Sequence, residues 1–171
     1  MKLEERLSKL EEKVDKLTTT LSDLYTVRIE PVQSWGEGVK TKKLKCGLEI
    51  ALEDYYEIDE EGNKKIEFTY NEAAEIKKKT NGKWRVPTMV EWAQICDELG
   101  VKNNEVDKGA LVKALQLTVN EMGYGSYWSR TAYSAQNGYA LNVNTTGVNP
   151  ANLSNKYYGF AVRCVKGGGD E

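Results

Sequence analysis

Leu3, Leu7, Leu10, Val14, Leu17, Leu21 and Leu24 recur at alternating spacings of four and three residues, the 3.5-residue period of a coiled-coil seam. With Leu7, Val14 and Leu21 as a positions and the other four as d, the next a falls on Arg28 and the next d on Pro31, so the seam stops near Tyr25. The pattern predicts a helix of about 24 residues, about 36 Å long at 1.5 Å per residue. Arg6 at g and Glu11 at the following e suit parallel neighbours, whereas Thr18 and Thr20 leave the next such position uncharged. A two-in-seven stripe is narrower than the apolar face of a helix packed on its own domain. Residues 1–26 are therefore expected to oligomerise as a parallel coiled coil. Leucine at both a and d does not choose between two and three strands.

The helical period then disappears. TVRIEPVQSWGEGVKT carries Pro31, Gly36 and Gly38, and residues 27–44 read as a linker into a domain over 45–166. LKCGLEIALEDYYEI is strand-like, and DEEGN at 59–63 forms the turn of a hairpin with KKIEFTY. Asn71 is positioned to cap a helix that stops at Asn81-Gly82, a natural left-handed end. Thr88 and Glu91 form a T-x-x-E capping box for a second helix. Trp92, Ile95, Cys96 and Leu99 make its apolar face, and Gly100 ends it. From Gly123 onward SYWSRTAYS, GYALNVN and YYGFAVRCVK alternate apolar and polar residues between Gly and Asn, as half-buried strands do. Strands, two helices, then more strands indicate an α+β fold, and residues 167–171 are expected as a flexible tail.

Composition removes several functions. With 171 residues there is room for one ordinary domain and an appendage. A formal charge of -2 lacks the basic field that gathers phosphates, so no nucleic-acid partner is expected. There is no apolar run near the roughly 20 residues a bilayer crossing requires, so no membrane insertion is expected, and MKLEERLSKLEEK is charged where a signal peptide would be apolar, so no secretion signal is expected. Histidine is absent, which removes the commonest general base, the commonest metal ligand and every Ser/His or Cys/His pair. Cys46, Cys96 and Cys164 form no C-x-x-C pair; buried thiols are favoured over a disulfide. Asp59, Glu60 and Glu61 beside Gly62 miss the spacing of a calcium loop and read as a solvated turn. The expectation is a non-catalytic protein with no metal and no cofactor.

Three segments carry a family resemblance: Trp84-Arg85-Val86-Pro87-Thr88 with Glu91-Trp92; Tyr127-Trp128-Ser129-Arg130-Thr131; and Gly159-Phe160-Ala161-Val162-Arg163-Cys164-Val165. Residues 45–166 resemble the C-type-lectin-like branch that includes formylglycine-generating-enzyme-like domains and the Fibrobacter succinogenes major paralogous domain. The resemblance implies two helices packed around twisted antiparallel strands, with a long loop region near the C-terminal end as the binding face. It also implies that Trp84 and Trp92 are framework and that Arg85 and Arg163 form buried or half-buried ion pairs. Enzymatic members rely on two nearby cysteines in the C-terminal half, where this chain has only Cys164. Calcium-dependent sugar binding relies on spaced acids, and residues 124–160 contain no Asp or Glu.

Residues 124–158 are instead rich in Tyr and Asn. Tyr124, Tyr127, Arg130, Tyr133, Asn137, Tyr139, Asn142, Asn144, Asn149, Asn152, Asn155 and Tyr157 form the candidate ligand-binding set, because Tyr gives contact area at little rotamer cost and Asn gives adaptable hydrogen bonds. The alternative is that some tyrosines fill the core while the asparagines satisfy turns.

A self-associating stalk with such a head resembles bacteriophage fibre proteins, which implies a trimer and a place in the virion. Its N-terminus would meet other virion proteins, and the C-terminal loops would meet a host-surface glycan or protein. The alternative reading is a bacterial ligand-binding module, in the cytoplasm or at the cell surface, or the variable protein of a diversity-generating retroelement.

Overall fold

The computed structural model describes residues 3–25, 35–102 and 105–168. The chain divides into two compact units, residues 1–33 and 34–171. The first contains α1, Leu3–Tyr25, a single helix of 23 residues. Its seam residues are 52–81% exposed from Leu3 to Leu21; the side chain of the seventh, Leu24, lies outside the described residues. Thr18, Thr19 and Thr20 each donate a hydroxyl hydrogen bond to the carbonyl four residues back, an arrangement that slightly weakens and bends a helix.

The second unit is α+β. It begins with β1, Thr41–Lys43, and β2, Glu49–Ala51. The hairpin of β3, Glu57–Ile58, and β4, Lys64–Lys65, follows. Next come the short helices α2, Tyr70–Ala74, and α3, Ile76–Lys79, and the longer α4, Met89–Leu99. A second small hairpin joins β5, Val101–Lys102, to β6, Glu105–Val106. After α5, Lys108–Leu115, the antiparallel meander of β7, Gly125–Ala132, β8, Asn137–Asn144, and β9, Gly147–Asn155, leads to β10, Val165–Lys166. Strand β10 pairs antiparallel with β2.

The meander separates two cores, because successive strand side chains point to opposite faces. On one side Trp128 and Ala140 join Trp35, Tyr55, Phe68 and Trp84. On the other, Tyr127, Leu141 and Val143 join Ile50, Trp92, Ile95, Leu111 and Leu115. The two largest rings are tied across the divide: the Trp92 indole N–H donates to the Trp128 carbonyl, and the Trp128 indole N–H to the Phe68 carbonyl.

The capping box at Thr88 and Glu91 forms as its spacing requires, and Asn81 and Gly82 both take left-handed backbone. The preceding helix starts earlier than Asn71 suggests, because Thr69 and Glu72 form a second capping box. The linker expected over 27–44 ends sooner: Trp35 is buried with its ring 5.0 Å from that of Tyr55, β1 pairs with β2, and Leu44 is buried. Residues 26–34 lie outside the described residues, as do 169–171 of the expected tail. The tail expectation also loses Gly167, whose carbonyl accepts a hydrogen bond from Arg85.

The long C-terminal loop region is also mostly strand. GVNPANLSN forms the edge strand β9 despite Pro150, which sheets tolerate at an edge. Residues 158–164, expected as a strand, are instead held by single bridges from Phe160 to Phe68 and from Ala161 to Tyr127. The segment has no continuous partner because its hydrogen bonds are divided among Ala51, Tyr55, Phe68, Ser126 and Trp128.

Two ion pairs fasten this segment and its neighbours. Arg85 grips the Glu91 carboxylate with both terminal nitrogens, at 2.7 and 2.6 Å. Burial would raise the Glu91 carboxyl, but the Arg85 hydrogen bonds, the Thr88 backbone N–H and the Arg85 and Arg130 charges together hold it below the ordinary value. Arg163, wholly buried, pairs with Asp54.

Replacing Arg163 with Met is predicted to cost about 3–5 kcal/mol in urea unfolding, as expected when one partner of a buried pair is removed. Replacing Lys166, whose pair with Glu49 is partly exposed, costs less than about 1 kcal/mol; equal losses would contradict the assignment. Glu91 contributes stability that is complete above its unfolded pKa and is lost as pH falls through its lowered folded pKa. Glu91→Gln therefore flattens the acid limb of a stability-pH curve, and an unchanged limb would refute that role.

Candidate functional site

The site grows around the Asp54 carboxylate. One oxygen, Oδ1, accepts from Arg163 Nε at 2.9 Å and from its Nη2. The other, Oδ2, accepts from the Thr118 hydroxyl at 2.7 Å and from the Tyr127 hydroxyl at 3.3 Å. Arg163 also donates to the carbonyls of Ala51, Leu115 and Gln116. Gln116 is the left-handed C-cap of α5, so the guanidinium both satisfies and charge-complements the end of that helix. The Tyr127 hydroxyl accepts from the Thr118 N–H at 2.7 Å. Burial first, and then the Asp54 charge, push this phenol up to about 12. It stays protonated near neutral pH and serves as a fixed hydrogen-bonding group.

Outside this node lies a cleft of about 660 Å³, within the range that encloses small ligands. Asp54, Arg163 and Thr118 contribute to its lining, with Tyr56, Lys64 and Glu67 from the β3–β4 region and its continuation. Asn120, Tyr124 and Ser126 come from the approach to and start of β7, and Phe160 from the bridged segment. The Asn120 side chain accepts from the N–H groups of Met122 and Tyr124, which fixes the turn that presents Tyr124.

The structure divides the twelve candidate residues from the Tyr/Asn segment. Tyr127 is 0% exposed and leaves the ligand-binding set: strand alternation turns it into the core, and its hydroxyl belongs to the Asp54 node. Arg130 is half-buried; its carbonyl accepts from the Tyr70 hydroxyl at 2.6 Å and its N–H donates to Pro87. Tyr124 stands at the cleft.

Asn142 donates to Ser126, and Asn144 donates to Asn142. Asn144 also accepts from Thr146 and Gly147 in the β8–β9 turn. Asn149 and Asn155 accept from backbone N–H groups two residues on, and Asn152 donates to Ser154. Asn137 pairs across the sheet with Asn155. These asparagines thus spend much of their hydrogen-bonding capacity on turns and within the sheet.

Tyr133 and Tyr139 meet edge to face at 5.8 Å, and Tyr139 lies opposite Leu153. Tyr133, Leu153 and Tyr157 are 60%, 48% and 82% exposed. Leu153 was not expected at this surface; Tyr158, which could equally have filled the core, is exposed. Leu153 had a signal, as an apolar residue isolated among asparagines, but its alignment with Tyr139 depends on the strand register. Tyr56 and Phe160 are also additions, brought to the cleft from sequence positions far apart.

Cys96 and Cys164 are buried and Cys46 is exposed. Burial raises both buried thiols, Cys96 to about 12, so neither is an activated thiolate near neutral pH. Among the described residues, no group of acids or cysteines could hold a metal ion, and no helix is long and apolar enough to cross a membrane. The chain matches no protein-family model, no curated protein and no solved structure.

Tyr127→Phe is predicted to destabilise the chain by about 1–3 kcal/mol, because it strips a buried network of its hydroxyl. Tyr157→Ser stays within about 0.5 kcal/mol, as surface replacements do. Chemical denaturation of both variants checks this, and a silent Tyr127→Phe would remove the node from the account.

Proposed function

We propose that the chain is a non-catalytic structural and binding component of a phage fibre, in which a trimeric parallel coiled coil carries a C-type-lectin-like head. The observation that carries the reading is the seam of α1: a regular apolar stripe, more than half exposed at every described seam residue, on a helix that forms its own compact unit. An isolated helix of this length is marginal in water, and burial of the stripe against copies of itself supplies the missing stabilisation.

The head supports a binding role through the Tyr133–Tyr139–Leu153 surface, which combines rigid aromatic area with neighbouring amides. The lectin-like reading draws on the helices packed beside antiparallel strands and on the pairing of β10 with β2. In this proposal the N-terminus joins other virion proteins while the head meets a host-surface glycan or protein. Three weak sites on one stalk gain avidity by raising effective concentration, without a tight individual contact.

Light scattering on the full chain is predicted to give about three times the 19.3 kDa monomer. Joint Leu10→Asp and Leu17→Asp substitutions reduce the particle to a monomer while the head keeps its near-ultraviolet circular dichroism. A monomeric unmodified chain would overturn the stalk reading, and a dimer would correct the strand number.

A further inference from the structure

The cleft beside Asp54 has an uneven charge balance. Asp54 and Arg163 neutralise one another in their ion pair. The other charged lining groups are one cation, Lys64, and two acids, Glu53 and Glu67, with which Lys64 forms no ion pair. Both residues are exposed, and among the described residues neither carboxylate has a hydrogen-bond or ion-pair partner. The same cleft carries the Tyr56, Tyr124 and Phe160 rings, whose negative π faces attract cations.

One cation already uses this chemistry. The ammonium of Lys64 lies 3.9 Å from the centroid of the Tyr56 ring. It comes from an exposed side chain on the short hairpin strand β4, so rotation about its own bonds removes it without disturbing the core.

We propose that this cleft binds an alkylammonium group with the chemistry of a lysine side chain, seated against Tyr56 and the Glu53 and Glu67 carboxylates in place of Lys64. The group supplies both parts of the match. Its ammonium answers the two unpartnered carboxylates and the ring face, and its methylene stem covers aromatic and aliphatic wall, as lysine stems do elsewhere. Anionic ligands are repelled by the same pair of acids. This site is separate from the Tyr133–Tyr139 surface and does not depend on the fibre proposal.

The test is calorimetric titration of the full chain with N-α-acetyl-lysine N-methylamide, with the norleucine analogue as the uncharged comparison and choline as the quaternary one. The lysine compound is expected to saturate one site per chain and to bind about tenfold more tightly than the norleucine compound, the scale of a partly desolvated cation–π contact with charge pairing. Lys64→Gln tightens binding by removing the internal competitor. Tyr56→Leu and Glu67→Gln each weaken it about threefold to tenfold. Equal binding of the norleucine compound would reduce the site to an apolar cleft and overturn the proposal. Stronger binding of choline would overturn the lysine assignment in favour of a quaternary headgroup. Absence of saturable lysine binding in both the unmodified chain and Lys64→Gln would also overturn it.

Discussion

A guanidinium with no exposure to water must have every donor answered, and the head is organised around meeting that demand for Arg163. Its partners come from three places: the carbonyl at the end of β2, the Asp54 carboxylate just beyond it, and the carbonyls of Leu115 and the cap residue Gln116 at the end of α5. Each is itself hard to satisfy otherwise. A strand end, a half-buried acid and a helix C-terminus all have unspent acceptors, and one flat cation joins them. The pair with Asp54 also draws in Thr118 and Tyr127, which positions the chain entering β7. The wall of the cleft and the register of the meander therefore share a support.

The second ion pair works differently. Arg85 and Glu91 are close in sequence, and Glu91 also closes the capping box that starts α4. The carboxylate thus has two structural roles, one toward its own helix and one toward the strap that carries Trp84. Through the Gly167 carbonyl, the same arginine fastens the end of the described chain. The space is tight: Gly168 has φ +78°, which favours glycine, and a Cβ there would press on Leu48 Cδ2 at 2.7 Å and on Arg85 Nη2 at 3.1 Å.

What sequence reasoning could read was local. The stripe of α1, the Thr88–Glu91 box, the left-handed Asn81-Gly82 end and the DEEGN hairpin depend on residues within a few positions of each other. The framework roles of Trp84, Trp92, Arg85 and Arg163 also followed from the resemblance. What could not be read depends on distant partners. Pro150 and the asparagines of β9 argue against a strand, and it forms because β8 offers seven aligned partners. Tyr127 and Tyr139 look alike in sequence, but one is sealed against Asp54 while the other faces Tyr133. The cleft had no continuous motif, since Tyr56, Tyr124 and Phe160 come from three separated segments. An Asn/Tyr-rich composition did not separate the side chains that stay exposed, such as Tyr133 and Tyr157, from those that hold turns, such as Asn144 and Asn149.

The Arg163–Asp54 pair spans 109 positions, and this separation has a kinetic meaning. Closing so long a loop costs conformational entropy before any contact compensates it, and such folds form more slowly than those built from local contacts. During synthesis the Asp54 segment leaves the ribosome well before its arginine does. The second core, which needs Val165 beside Ile50, waits equally long. The α1 segment, Leu3–Tyr25, emerges before both partners, and helix formation within it takes microseconds or less. Under the proposed coiled-coil stalk, nascent chains on neighbouring ribosomes would have time to find one another through α1 while their α+β units are still open, and assembly would precede maturation of the domain it serves.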